Sequence, residues 1–591
     1  MTEAPTATAG PLASAAMASL KAFYTASNNH PSQEHLAALA AVARTMEAMA
    51  DGTCPPSVLL AALDPGIGKS QTAIHFARAL VSSAAHRGAG MVICLGRLSQ
   101  VRDMAKALSL PEGSLAVLTS DAACNALSAA AVNEAPILLT TQQLIERRTH
   151  GSRFADTAAF YYKDAPRAVR VWDEAIEFGA PITLLWSDIA GLSRTAMAIS
   201  PKFAKALFAF AGTVQGLEMG AEIAVPDFET DHGISWRDVE AGLAGSDGSS
   251  LEIRAASNLR ALNGNIARAY LENERGAVAL SYEQRIPDDI RPILVLDASI
   301  RVRQTYLDME THRGGFVRLP DAVKDYADLR LHIWQTSGAK SAFAKRGAEI
   351  VQGVVNTILT KPDRTWLVVT HKAGSRVKDV EAAVRSALPV NVRPRVSFLT
   401  FGNHMATNDH ADVENVILAG QFFAPLSLYA AMTHAAQGRP VAGGLVSSAE
   451  IEATKRGELA DVTLQAVCRG RCRKSVGSKA MAMDAYIIAS PKSGIPAAVS
   501  SIFPGCQVAK WEPFRKELKG NTKLSVQYVA QALEAGRTAV PYAEIREALH
   551  LSSSNFTKHV SDTDDWRNAV VGLGCEIHRG ARRALSVRVV A

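Results

Sequence analysis

The stretch from Leu63 to Ser70, within "SVLLAALDPGIGKSQTAIHFA", constrains this chain more than any other. A short apolar run ends in Asp-Pro-Gly-Ile-Gly-Lys-Ser and passes into helical spacing. That is strand, loop and helix in the order a phosphate-binding loop requires. Gly66 and Gly68 allow the backbone to turn its N–H groups onto phosphate oxygens. The helix that follows offers its N-terminus to the same anion. Lys69 is placed to reach outer phosphates and the Ser70 hydroxyl to ligate Mg²⁺, with Asp64 and Gln71 flanking them as further nucleotide contacts. The opening position of the G-x-x-x-x-G-K-[ST] pattern is Leu63 here, and a glycine-rich structural turn is the alternative reading of the loop alone.

A second signal lies roughly a hundred residues on, in "AVRVWDEA". An apolar strand delivers Asp173 and Glu174 at its C-terminal end, where open α/β sheets bind ligands. Phosphoryl transfer to water needs two carboxylates in such a place. Asp173 is expected to hold magnesium and Glu174 to polarise the attacking water. An acidic helix cap after a strand is the plainer alternative.

Composition bounds the rest. The chain has 591 residues, 48% hydrophobic and 20% charged, with a formal net charge of +6. This is a globular profile with several cores, mildly basic and compatible with a polyanionic partner. The seven cysteines are scattered except for Cys468 and Cys472, and no C-x-x-C pair occurs. No zinc site, iron–sulfur cluster or disulfide framework is read, and a reducing cytoplasm is the expected compartment. The N-terminus lacks a basic region followed by an apolar core, so no secretory signal is read. No run of about 18 apolar residues is present, so no membrane span is expected.

Residues 1–30 are rich in Ala, Thr and Ser and read as a disordered tail. "PSQEHLAALAAVARTMEAMADG" has helical spacing with a Ser cap before it and Gly after it. Short apolar runs then alternate with helical stretches: "SVLLAAL", "GMVICLG", "LAVLTS", "APILLTT" and "AVRVWDE". Such alternation predicts an α/β fold, a parallel sheet covered by helices. Residues 181–289 break the rhythm, with Ala/Leu-rich helical patterns and a polar loop at "AGLAGSDGSS", and read as a helical insertion. "RPILVLDAS" resumes the sheet, so the first domain comprises residues 31–180 and 290–325. A second alternating block, "TWLVVTH", "RVSFLTF", "VENVILAG" and "DAYIIAS", makes a second α/β domain over 330–495. Residues 496–520 read as a linker. In 521–591, three short helices ("TKLSVQYVAQALEAG", "PYAEIREALH", "SSSNFTKHV") precede a hairpin pattern with a basic turn, which suggests a small α+β winged-helix-like module.

The order of these elements resembles superfamily 2 helicases of the DEAD/DEAH-box type, with two tandem RecA-like domains. The resemblance spans about residues 30–490, the insertion excepted. "LDPGIGKS" stands as motif I and "WDEA" as motif II. "ICLGRLSQVRDMAKAL" resembles motif Ia and "LLTTQQL" the following strand-end threonine motif, which implies backbone contacts to nucleic acid from Arg97, Thr140 and Thr141. "LVLDAS" stands where a Ser-Ala-Thr motif couples hydrolysis to movement, with Asp297 in place of the first Ser. "LVVTHK" resembles motif IV. "ATNDHADVENVILAG" resembles motif V, with Thr407 where the family has Gly and Asp409 at the nucleotide-contacting Asp. "QAVCRGRCR" resembles motif VI. The resemblance implies that arginines from the second domain complete the catalytic pocket: Arg469 at the family spacing from Gln465, then Arg471, with Arg473 third. Upstream, Gln33 in "HPSQEHL" stands where glutamines of this superfamily read the adenine edge; a plain helix-start glutamine is the alternative.

In the C-terminal module, Lys558 and His559 on "SSSNFTKHV" and the arginines Arg579, Arg582 and Arg583 of "HRGARRA" are candidate nucleic-acid contacts. From residue 511 onward there are 12 Lys/Arg against 9 Asp/Glu. Phosphate contacts of this kind give affinity without sequence readout, and a protein-docking module is the alternative. The expected activity is an ATP- and Mg²⁺-dependent nucleic-acid helicase or translocase acting on single-stranded or forked DNA, with replication or mobile-element proteins as candidate partners and no membrane. Two alternatives stay open: a translocase that moves along duplex without separating it, and a DNA-binding replication or regulatory factor whose ATPase is a nucleotide switch.

Overall fold

The computed structural model describes residues 9–245, 250–273, 275–374, 377–402, 409–514, 518–573, 575–579 and 585–589. The chain divides into two units, Met1–Trp511 and Glu512–Ala591. In the first, the wholly apolar runs become parallel strands buried on both faces. One seven-stranded sheet runs in the order Phe316–Arg318, Val58–Ala61, Ile293–Leu296, Val169–Asp173, Met91–Leu95, Ile137–Thr141 and Leu115–Leu118, parallel throughout. Leu59, Ile93, Val171 and Leu294 fill one side of it, and Leu60, Val92, Trp172 and Val295 fill the other. Register decides where the chemistry collects. Ala61 pairs with Leu296, and Leu296 with Asp173. The loop after Ala61, the Asp173–Glu174 pair and Asp297 therefore leave the sheet at one level of one edge.

The second lobe carries a six-stranded parallel sheet, in the order Val396–Thr400, Trp366–Thr370, Asn415–Ala419, Met483–Ile488, Leu329–Trp334 and Gln507–Lys510. The two-lobe α/β architecture predicted from the alternating runs is thus present.

Three boundaries differ from expectation. Residues 11–26 form a helix, Pro11–Ala26, rather than a disordered tail. Its Ala-rich composition hides a stripe of Leu12, Ala16, Leu20 and Tyr24, all buried against the first lobe. The insertion is not purely helical. Gly179–Leu185, Gly276–Gln284, Ile266–Glu272 and Glu222–Ala224 form a four-stranded antiparallel sheet beneath its helices. Those strands are rich in Ala and short of the β-branched runs of the parallel sheets, a weak strand signature. The expected linker at 496–520 instead holds the helix Ile495–Ile502 and the edge strand Gln507–Lys510, which extends the second lobe to Trp511.

The second unit contains the helices Gly520–Glu534, Tyr542–Ala548, Ser553–Phe556 and Asp564–Gly572, with a wide turn at Thr557–Ser561. A three-stranded antiparallel sheet is ordered Ala539–Pro541, Leu585–Val589, Cys575–Arg579. Its core gathers Val529, Ile545, Phe556, Trp566 and Val587, and the Trp566 indole N–H donates to Ser525 Oγ at 2.8 Å.

Candidate active site

The loop after Val58–Ala61 turns through left-handed backbone at Gly66 (φ 87°) and Gly68 (φ 119°), which only glycine adopts without strain. Lys69 then opens the helix Lys69–Ser82. Its ammonium donates to the Leu63 carbonyl. Burial pushes that ammonium down to about 8, opposed by the charges of Asp297 and Asp173. The Ser70 hydroxyl lies 3.2 and 3.3 Å from the two carboxylate oxygens of Asp173. Two residues separated by about a hundred positions of sequence thus meet as hard oxygen donors, a set that suits Mg²⁺ completed by water and phosphate.

Glu174 has φ 79°, a strained conformation for a non-glycine residue, held by its N–H to the Leu296 carbonyl at 3.1 Å. Burial and the neighbouring carboxylates Asp173 and Asp297 raise its carboxyl to about 7. Burial likewise raises Asp173. Two glutamines absent from the sequence reading support this pair. Gln100 Nε2 donates to Glu174 Oε1 at 3.1 Å, and Gln142 Nε2 to the Asp173 carbonyl at 2.7 Å. Asp297 accepts from the Ser299 hydroxyl at 2.6 Å and the Tyr306 hydroxyl at 2.8 Å.

Across from these groups, Arg469 and Arg473 of the second lobe line the same cavity of about 600 Å³, together with Gly66, Gly68, Lys69, Ser70, Gln71, Asp173, Glu174 and Asp409. Burial lowers Arg469 to about 10, with the charge of Arg473 adding to the effect. Arg473 is lowered by burial as well. The lobes touch directly here: a Cβ on Gly66 would come 2.1 Å from the Arg473 carbonyl oxygen.

Several expected residues sit elsewhere. Arg471 points away from the cavity, 4.0 Å from Glu414, so the inward arginines are the first and third of the segment. The short turn Arg471–Arg473 alternates their directions, which spacing alone does not reveal. Asp64 is fully buried and does not line the cavity. Its carboxylate pairs with Arg301 at 2.9 Å and accepts from Lys324 N at 3.0 Å and the Tyr326 hydroxyl at 2.8 Å. Gln33 is exposed on the first turn of Gln33–Ala50 and outside the cavity. The Thr140 hydroxyl is buried and donates to the Leu118 carbonyl at 2.8 Å. Thr141 caps the helix Gln142–Thr149. Both threonines are thus buried and bonded within the first lobe. Arg97 instead reaches the second lobe, donating to the Gly402 carbonyl. Lys558 is exposed beside a shallow depression with Ser553, Thr557 and Asp562. Arg579 ends a strand, and Thr407, Arg582 and Arg583 lie outside the described residues.

Lys324, in the segment joining the lobes, also escaped the sequence reading. Its ammonium is buried and donates to the Pro65 carbonyl at 2.6 Å, the Cys472 carbonyl at 3.2 Å and the Arg473 carbonyl. One cation thereby ties the phosphate loop to the arginine segment. A lone lysine between elements gives no pattern by which to find it.

No family model and no curated protein sequence matches this chain. Among solved structures, an apo XPD aligns with a TM-score of 0.48 and 11% identity, over 79% of this chain and 99% of the other. Xpd4 of S. tokodaii aligns with a TM-score of 0.46 and 13% identity, over 79% and 98%. S. cerevisiae Dbp5 bound to RNA and ADP BeF3 aligns with a TM-score of 0.34 and 8% identity, over 81% and 93%. The solved structures to which this chain is similar include, besides these, an E. coli DEAH/RHA helicase HrpB and a DEAD box protein from Methanococcus jannaschii, aligned over 84% and 82% of its length.

Proposed function

We propose that this protein is an ATP-dependent nucleic-acid helicase or translocase. The observation that carries the reading is one cavity lined by Lys69, Ser70, Asp173 and Glu174 from the first lobe and by Arg469 and Arg473 from the second. The loop and Lys69 would cradle the triphosphate, and Ser70 and Asp173 would hold Mg²⁺, which when bound neutralises charge on the phosphates. Glu174 orients the attacking water and accepts its proton. The two arginines stabilise charge developing on the γ-phosphoryl oxygens, and only a closed cleft presents them. Nucleotide occupancy thereby becomes lobe position, the element a motor needs. The net charge of +6 and the exposed Lys558 support a polyanionic strand, which we take as DNA, single-stranded or forked, with RNA as the other outcome of the test below.

ATP turnover with and without single-stranded DNA, RNA and duplex, beside a strand-displacement assay, tests this. Stimulated turnover with displacement supports a helicase, and stimulation by duplex without displacement a translocase. Slow hydrolysis that nucleic acid leaves unchanged contradicts both.

One observation favours the nucleotide-switch alternative. The insertion, continuous with the first lobe, is bonded to segments that follow Asn415–Ala419 in the second. Arg268 donates to the Val441 carbonyl at 2.7 Å, and Glu272 accepts from Ser427 N at 3.2 Å. Such ties favour small lobe movements, as a switch requires.

A further inference from the structure

The helix Pro11–Ala26 is fastened at three points. At its start, Gly10 N and Leu12 N donate to the Glu47 carboxylate at 2.9 and 2.7 Å. Midway, Ser19 Oγ meets His75 Nδ1 at 2.8 Å, on the helix that Lys69 opens. At its end, the Tyr24 hydroxyl donates to the Ile67 carbonyl at 3.0 Å. Tyr24 is 4% exposed, and a Cβ on Gly68 would lie 1.8 Å from its hydroxyl oxygen. The phenol therefore backs directly onto the phosphate loop.

A trans peptide points its carbonyl and the next N–H in opposite directions. Holding the Ile67 carbonyl toward Tyr24 turns the Gly68 N–H to the opposite side, away from the phenol. Gly68 lines the cavity, and its left-handed backbone has the freedom to flip that peptide if nothing holds it. We infer that Tyr24 is a positioning residue that fixes the Ile67–Gly68 peptide with its N–H presented to the triphosphate. This rests on the reading of the cavity as an ATP site. Burial pushes the Tyr24 phenol up to about 12, so it remains a donor throughout the neutral range.

Tyr24→Phe deletes the donor and keeps the ring. MgADP affinity by calorimetry and the steady-state KM for ATP should both weaken about 3- to 10-fold, the worth of one hydrogen bond, with kcat within about twofold of the parent. Ser19→Ala loosens the same helix away from the loop and should leave KM unchanged. Unchanged KM and affinity in Tyr24→Phe, or an equal KM increase in Ser19→Ala, would overturn the inference. Failure of the parent protein to bind MgADP would instead sink the ATP-site reading itself, so the two failures are distinguishable.

Discussion

Arg473→Ala and Arg471→Ala, compared as a pair, separate a geometric assignment from one based on spacing. Arg473 lines the cavity with Lys69, Asp173 and Glu174, whereas Arg471 lies outside it, 38% exposed and 4.0 Å from Glu414. A lone arginine delivered to a phosphoryl transition state contributes about 10³- to 10⁵-fold. Here Arg469 shares the task, so Arg473→Ala should lower kcat by about 10²- to 10³-fold, or about 3–4 kcal/mol of barrier. The substitution leaves the Arg473 carbonyl, the Lys324 acceptor, in place. Arg471→Ala removes one exposed ion pair and should change kcat less than about threefold. The assay is steady-state ATP turnover at saturating Mg²⁺ and nucleic acid, with MgADP binding as the control for folding. A larger loss in Arg471→Ala than in Arg473→Ala would reverse the assignment of the inward arginine.

Glu174→Gln should bind MgATP and strand with parental affinity yet turn over about 10²-fold or more slowly, measured by single-turnover kinetics; parental turnover would remove Glu174 from the chemistry. Lys324→Met leaves three carbonyls without their shared cation and should cost about 2–4 kcal/mol in urea denaturation of the full chain; a change under about 0.5 kcal/mol would contradict the role of Lys324 as a tie. Asp484 is held down to about 2 by its hydrogen bonds to His332 (2.7 Å) and Lys361 (2.9 Å), below its usual 3.8. A carboxyl lowered by folding stabilises above its unfolded value and loses that contribution as pH falls through the folded one. The stability deficit of Asp484→Asn should therefore be full near neutrality and shrink from about pH 4 toward 2, and a deficit constant with pH would contradict this.

Strand after strand was legible because a parallel sheet covered on both faces needs continuous apolar runs, as in "VLLA", "VICL" and "ILVL". That the loop glycines and the Asp173–Glu174 pair share one cavity was legible because both follow apolar strands whose carboxyl ends meet at one side of the sheet. What escaped depends on three-dimensional facing. Arg473 rather than Arg471 faces inward because of one tight turn. Asp64 reads as a loop residue near nucleotide, yet Arg301, Lys324 and Tyr326, each more than two hundred residues away, turn it into a structural hub. The N-terminal helix looked frayed because its anchors, Glu47, His75 and the Ile67 carbonyl, lie in other elements. The insertion sheet was missed because Ala-rich strands such as Ile266–Glu272 carry little strand propensity.

In the proposed function, the loop around Lys69 grips a triphosphate whose hydrolysis drives the molecule. ATP turnover by the parent and by Lys69→Ala, with Mg²⁺ and single-stranded DNA, tests it most directly. Turnover should be accelerated by the strand in the parent and fall to background in the variant, since the cation facing the outer phosphates is gone. Equal turnover in both proteins would contradict it.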